Sequence, residues 1–151
     1  MPLDELDFNI LRCLSEDSRT SLQGIAKKMK VSEGTIRNRL ARMESDKVIL
    51  GHALLLDHAK LGFASAALIG ISVEPAKFFS VIQELGKIEE VRSVTSCTGE
   101  YPVIIEVWKA NSEQMGKFIS EKINSMPGVT AVSPNLVVER VKTGKGPLRP
   151  Y

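Results

Sequence analysis

Between residues 64 and 141 the hydrophobic pattern runs strand, helix, strand and then repeats in the same order, and this repetition restricts the fold more than any other feature. Residues 64–73 read as a strand, 75–86 as a helix with Phe78, Ile82 and Leu85 inward, and 91–97 as a strand. Thr98-Gly99-Glu100 turns the chain. A second set follows: a strand over 101–108, a helix over 112–125 with Met115, Ile119 and Ile123 inward, and a strand over 131–141. Two βαβ halves joined by a hairpin make a ferredoxin-like unit, one antiparallel sheet with two helices on one face. The other face then carries apolar side chains from 101–108 and 131–141 with no cover from its own chain. A second copy is expected over it, which makes the protein an obligate homodimer. The tail, 142–151, contains Gly144, Gly146, Pro147 and Pro150 and reads as loosely ordered.

The first fifty residues have a different texture, that of three short helices. Asp4 can cap the first, with Asp7 near its positive end and Leu6, Ile10, Cys13 and Leu14 at helical spacing. Ser21 caps a second, whose inward face is Leu22, Ile25, Ala26 and Met29. Ser32 caps a third, striped by Ile36, Leu40 and Met43. The link between the last two is about three residues, the length of a helix-turn-helix turn. After Lys47 a strand-like run, 48–56, leads out of this unit. The expected organisation is therefore α+β: a helix-turn-helix domain over 1–50, a linker strand over 51–62, and a ferredoxin-like domain over 63–151.

Composition enters through charge. The chain of 151 residues carries 20 Lys+Arg and 18 Asp+Glu, a net of +2, which says nothing about nucleic acid. The small total hides a sorting. Residues 1–18 hold one Arg and five acids, whereas 19–42 hold seven basic residues against the single acid Glu33, a local net of +6. Such a local excess suits a phosphate-facing surface. Hydrophobic residues at 43% and charged residues at 25% exclude disordered and fibrous classes. Two cysteines cannot form a disulfide scaffold, no apolar run approaches the roughly 20 residues of a membrane span, and the acidic start Leu3-Asp4-Glu5-Leu6-Asp7 does not suit a secretory signal. A cytoplasmic protein that does not enter membranes is expected.

On a helical wheel the third helix puts Gly34, Arg37, Asn38, Ala41 and Arg42 opposite its apolar stripe, with Thr35 beside them and Arg39 at the rim. Arginine forks match guanine O6/N7, asparagine matches adenine N6/N7, and small residues let a helix approach base edges closely. Arg39, at the rim, is expected to brace the motif or touch phosphate. Arg19, Ser21, Lys27 and Ser32 complete the set expected at double-stranded DNA, Lys27 as a phosphate contact. The plainer alternative is an Arg-rich helix exposed for solubility. The short turn and the local charge weigh against it.

The ordered series Leu3-Asp4-x-x-Asp7-x-x-Ile10-Leu11, Arg19-x-Ser21-x-x-x-Ile25-Ala26, Val31-Ser32-x-x-Thr35-Ile36-x-x-Arg39-Leu40-x-x-Met43-Glu44 and Val48-Ile49-x-Gly51 resembles the Lrp/AsnC, or feast/famine, family of transcription regulators. The likeness extends over essentially the whole chain. It implies a dimeric DNA-binding regulator, commonly assembled into octamers, whose second domain binds an amino acid. It also places the effector between dimers, at the loop Thr98, Gly99, Glu100, Tyr101, Pro102, Val103 and Ile104 and at the last-strand segment Val132, Ser133, Pro134 and Asn135. Pro102 stands where the family commonly has an aspartate, and Val132 and Pro134 where it commonly has threonines. Glu100 can replace the missing acid as acceptor for an ammonium group. The polar residues Thr98, Glu100, Ser133 and Asn135 favour an effector with its own hydrogen-bonding end, glutamine first.

Enzyme chemistry finds little support. His52 and His58 lack a third metal ligand at workable spacing, and Cys97 has no neighbouring histidine. Lys142-Thr143-Gly144-Lys145-Gly146 is too short for a phosphate loop and follows a strand without opening a helix. No cofactor and no metal are expected. Two alternatives share the resemblance or the charge pattern: a sirohaem-decarboxylase-like enzyme subunit, and an architectural DNA-binding protein of little sequence preference.

Overall fold

The structure, a computed structural model, describes residues 2–142, so residues 143–151 of the expected loose tail lie outside the described residues. The chain divides into two compact units, one running from the N-terminus to Leu55 and the other spanning Leu56–Arg140. Among the described residues no helix is long and apolar enough to cross a membrane.

In the first unit, α1 (Glu5–Glu16), α2 (Leu22–Met29) and α3 (Glu33–Ser45) begin at the residues whose side chains can cap them. The Asp4 carboxylate accepts from the Asp7 N–H and the Asp7 carboxylate accepts from the Asp4 N–H, each at 3.0 Å, so two orphan donors are satisfied reciprocally. Ser21 accepts from the Gly24 N–H and Ser32 from the Thr35 N–H, also at 3.0 Å. Lys30 ends α2 in the left-handed conformation, φ 56°, and only Val31 and Ser32 then separate it from α3. Ile10, Ile25, Ile36 and Met43 are fully buried, with Cys13 and Ala26 almost so, and they form this unit's core.

In the second unit β1 (Ser65–Val73), β2 (Val91–Ser96), β3 (Val103–Lys109) and β4 (Val129–Leu136) form one sheet in the order β2-β3-β1-β4, with every pair antiparallel. This is the ferredoxin-like arrangement expected from the doubled pattern. Ala67, Ile69 and Ile71 of β1 and Val103, Ile105 and Val107 of β3 point to the same face. There they pack against α4 (Phe78–Lys87) and α5 (Ser112–Phe118) through Val81, Leu85, Met115 and Phe118.

The helices differ in detail from their patterns. Pro75–Lys77 forms a 3-10 turn ahead of α4, which rotates the helix so that Val81 and Leu85 are fully buried while Phe78 and Ile82 sit half-buried beside them. After α5 the chain widens into a π-helical turn, Ile119–Ile123. The five-residue step lets both Phe118 and Ile123 reach the core and leaves Ile119 half-buried, whereas a continuous α-helix would have favoured Ile119. β4 ends at Leu136, five residues short of the expected 141, and only the Val137 N–H continues the ladder, donating to the Ala66 carbonyl at 2.8 Å.

The expected linker strand is not formed: the run 48–56 and the rest of 51–62 are irregular, with a turn at 58–62 held by the Asp57 carboxylate accepting from the N–H groups of Ala59 and Lys60. Leu50, Leu54 and Leu55 are 87%, 73% and 72% exposed. Its apolar, β-prone composition is that of a strand, but a strand needs a neighbour to take up its backbone groups, and none in the described chain does so.

Candidate functional site

The α3 surface follows from its wheel. Ile36 and Met43 are sealed inside and Leu40 is half-buried, whereas Gly34, Arg37, Asn38 and Ala41 are exposed. Thr35 shares a 2.8 Å hydrogen bond with the Ser32 hydroxyl at the start of the helix. Arg37 pairs one turn back with Glu33 at 2.6 Å, with the two side chains 65% and 46% exposed. An exposed i,i+4 pair contributes only about 0.3–0.5 kcal/mol, so Arg37 is restrained but readily released. Around this helix Lys27 and Arg19 are exposed, and the Arg19 N–H donates to the Asp17 carboxylate at 2.9 Å.

Arg42 departs from the outward position the wheel gives it. Its guanidinium donates to Asp7, which is completely buried, and the Arg42 side chain is only 26% exposed. Arg39 donates to the same carboxylate at 3.2 Å and also to Asp4. A wheel fixes the direction of Cα–Cβ but not the path of a long flexible side chain, which here folds back to reach an acid on another helix. The Arg39 guanidinium, together with the Asp7 N–H, holds the Asp4 carboxyl below the usual carboxylate range, and Asp4 and Asp7 raise Arg39 in return. One buried carboxylate thus closes the start of α1 and ties two arginines of α3 to it. Sequence reasoning placed Asp7 by its helix-start position. The visible signal was only the Asp4-x-x-Asp7 spacing, because its arginine partners lie more than thirty positions away.

The two segments expected to meet the effector come together at one end of the second unit's sheet. The Cys97 N–H donates to the Pro102 carbonyl at 2.9 Å and closes the loop, within which Gly99 adopts φ +133°. Thr98, Gly99 and Glu100 are exposed. Across the sheet Gly70 of β1 stands opposite Ile104 on one side and Ser133 on the other. Directly opposed residues share a face, so Ile104 and Ser133 lie on the helix-free face about 10 Å apart, two strand spacings. The gap between them is occupied by Tyr101. A Cβ built on Gly70 would meet the Tyr101 Cγ at 2.5 Å, so the ring lies directly on the glycine. Asn135 is exposed beside Leu68 and donates to the Ser133 carbonyl at 3.3 Å.

Three residues of this set stand on the other face: Val103, Val132 and, opposite Ile69, Pro134. Val103 and Val132 both stand opposite Ile71, on the helix-packed side; Val103 is fully buried in the core and Val132 packs against it. Their side chains are therefore withdrawn from the open face by strand alternation. Pro102 is half-buried, and Pro134, opposite Ile69, is exposed. Gly70 was not identified from sequence, since its role depends on a ring thirty-one positions away. Replacing Gly70 with Ala should displace Tyr101 and destabilise the domain by about 1–3 kcal/mol, the usual range for overpacking. A midpoint in chemical denaturation equal to that of the parent would contradict this packing.

The groups considered for other chemistry are accounted for locally. His52 Nε2 lies 3.7 Å from Glu44, and the His58 ring packs on Trp108 at 5.6 Å between centroids. Among the described residues no group of three or more His, Cys, Asp or Glu gathers at metal-binding distance.

Comparison with known proteins agrees with this geometry. Residues 3–44 match the family model for the AsnC-type helix-turn-helix domain, and residues 66–147 the model for the Lrp/AsnC ligand binding domain. The chain is 34% identical over 140 residues to the HTH-type transcriptional regulator LrpA of Pyrococcus horikoshii, covering 93% of this chain and 99% of the relative. To LrpA1 of Halobacterium salinarum it is 32% identical over 142 residues, covering 94% and 100%. Among solved structures it superposes on Escherichia coli AsnC with a TM-score of 0.82 at 25% identity, over 95% of this chain and 97% of that one. It shares the fold of the Mycobacterium tuberculosis leucine response regulatory protein with a TM-score of 0.86 at 22% identity, over 97% and 100%. The chain belongs to the Lrp/AsnC family of helix-turn-helix transcription regulators, with an N-terminal DNA-binding domain and a C-terminal ligand-binding domain.

Proposed function

We propose that this protein is a sequence-specific regulator which reads duplex DNA with the outward face of α3 and whose affinity is set by an amino acid, glutamine first. The exposed surface of Arg37, Asn38, Gly34 and Ala41 carries this reading, on a helix whose other side is sealed and tied down by Asp7. Arg37 and Asn38 reach base edges, the small residues allow close approach in the major groove, and Lys27 and Arg19 meet phosphate. Arg39 and Arg42 serve chiefly to brace the helix. The protein acts by binding and not by catalysis.

The working form is a homodimer joined through the helix-free sheet face, where Leu68 is 41% exposed, and dimers assemble further to an octamer. Two helix-turn-helix units then address half-sites spaced by a helical turn or a multiple of it. The effector lies between dimers against Thr98, Gly99, Glu100, Tyr101, Ile104, Ser133 and Asn135. With Val103 and Val132 turned to the core, the remaining lining is more polar than the sequence implies. A carboxamide finds partners there, and an aliphatic side chain leaves them unpaired at a cost of about 1–3 kcal/mol.

Footprinting on genomic fragments at moderate salt tests the DNA reading: paired protected half-sites support it, and uniform coating or no protection removes it. Calorimetry with the twenty amino acids, on the parent and on Glu100→Ala, tests the effector. Glutamine should bind the parent and weaken in the variant; leucine binding without a glutamine response overturns the assignment. Light scattering at micromolar concentration should give at least a dimer mass, and a monomer mass contradicts the assembly.

A further inference from the structure

The stretch 19–42, with its seven basic residues, contains a single acid, Glu33, and the fold sets that acid at the leading end of α3. Its side chain is 46% exposed, and its one ion-pair partner among the described residues is Arg37, one turn further on. An acid on a phosphate-facing surface weakens binding to every sequence unless it takes a donor from the duplex. Phosphate and deoxyribose offer acceptors only. The donors in the major groove are the amino groups at cytosine N4 and adenine N6. The start of the second helix of a helix-turn-helix pair is also the part that meets base edges.

The geometry of the pair narrows the choice of base. Arg37 Nη2 and Glu33 Oε1 lie 2.6 Å apart. A G·C pair presents the complement of this at its major-groove edge. Guanine O6, an acceptor, lies about 2.9 Å from cytosine N4, a donor, because the two are hydrogen-bonded to each other. Guanine N7 stands on the other side of O6. That edge therefore runs acceptor, acceptor, donor, whereas a guanidinium fork beside a carboxylate runs donor, donor, acceptor. An A·T edge runs acceptor, donor, acceptor, which sets an amino group against the fork and a carbonyl oxygen against the carboxylate.

We infer that Glu33 is a specificity-determining residue that reads one G·C pair together with Arg37. In the DNA complex the Arg37 fork turns to guanine O6 and N7, and the Glu33 carboxylate accepts from N4 of the cytosine paired with that guanine. The inference rests on the reading of α3 as the helix that enters the groove. A plainer role for Glu33 is to stabilise the start of α3 through the helix dipole. Glu33→Asp keeps that charge but is shorter by one methylene, so it separates the two roles. Glu33→Gln keeps an acceptor oxygen at the same reach and does not separate them.

Duplexes are selected from a random pool by the full-length protein, and the selected site is rebuilt with altered bases at each common G·C pair in turn. N4-methylcytosine keeps Watson–Crick pairing but turns a methyl group into the major groove in place of the free N4–H. 7-Deazaguanine removes the N7 acceptor alone. At one pair of each half-site, N4-methylcytosine should weaken the parent by about fivefold or more and change Glu33→Ala and Glu33→Asp by less than about twofold. At the same pair 7-deazaguanine should weaken both the parent and Glu33→Ala, and leave Arg37→Ala unchanged. Half-sites without a common G·C pair, a methyl effect in the parent no larger than in Glu33→Ala, or an Asp variant as sensitive to the methyl group as the parent overturns the role of Glu33. Loss of sequence preference in the Arg37→Ala variant alongside such a result leaves α3 as the reading helix. Selection of no preferred sequence, or an Arg37→Ala/Asn38→Ala variant with the parent's preference, removes the reading of α3 itself and the role of Glu33 with it.

Discussion

Replacing Asp7 with Ala should destabilise the helix-turn-helix unit by about 2–3 kcal/mol, the largest effect expected of any polar substitution in it. The carboxylate has no exposed surface and satisfies three donors: the Asp4 N–H at the start of α1, Arg39 and Arg42. Truncation leaves the Arg42 guanidinium half inside the unit without a counter-charge and Arg39 with Asp4 as its one remaining acid, and breaking a fully buried pair costs about 3–5 kcal/mol. The figure here is lower because Arg39 and Arg42 are 28% and 26% exposed and water can reach them after the acid is gone. Asp7→Asn keeps the shape and the acceptor oxygen but loses the charge, and should fall between parent and Ala. Chemical denaturation followed by circular dichroism, which weights the helical unit, measures both variants. Midpoints unchanged within error would mean that hydrophobic packing of Ile10, Ile25, Ile36 and Met43 alone fixes α1 on α3.

The parts of this molecule that were legible in its sequence depend on neighbours close along the chain. Asp4, Ser21 and Ser32 act on N–H groups three residues away, so a helix start shows itself in a window of four. The doubled strand–helix–strand pattern fixed the sheet because antiparallel pairing and right-handed connection leave few other arrangements. What escaped depends on partners far away in sequence. Arg42 reads as an outward residue until Asp7 of another helix is placed beside it. Gly70 reads as a weak point in a strand until Tyr101 lies on it. Val103 and Val132 read as pocket residues because a family segment was carried over whole, whereas a strand sends alternate side chains to opposite faces. The run at 48–56 has strand composition, but pairing is a property of two segments and composition describes one. The π-helical turn after Phe118 is of the same kind: its five-residue step answers the sheet it packs on, and local periodicity has no information about that sheet.

The double substitution Arg37→Ala/Asn38→Ala should abolish sequence preference while leaving the fold intact. Both side chains are exposed, and among the described residues the one side-chain hydrogen bond or ion pair that either makes is the Arg37–Glu33 pair, so their removal takes little from stability. A well-formed bidentate contact to a base is worth about 1–3 kcal/mol of discrimination, and two neighbouring contacts together should lower operator affinity by at least about thirtyfold. Binding to unrelated duplex should change far less, because Lys27 and Arg19, the proposed phosphate contacts, remain in place. Lys27→Ala is expected to do the reverse, weakening all sequences alike and flattening the salt dependence. Arg37 must leave Glu33 to reach a base, so Glu33→Gln should tighten operator binding slightly, by less than about 1 kcal/mol. Competition footprinting of these variants at several salt concentrations separates the two kinds of contact. If the double variant retained the parent's preference between operator and random duplex, the outward face of α3 would not be what reads the DNA. The arginines now assigned to Asp7 would then have to leave that carboxylate to do so, at the cost that the Asp7→Ala experiment measures.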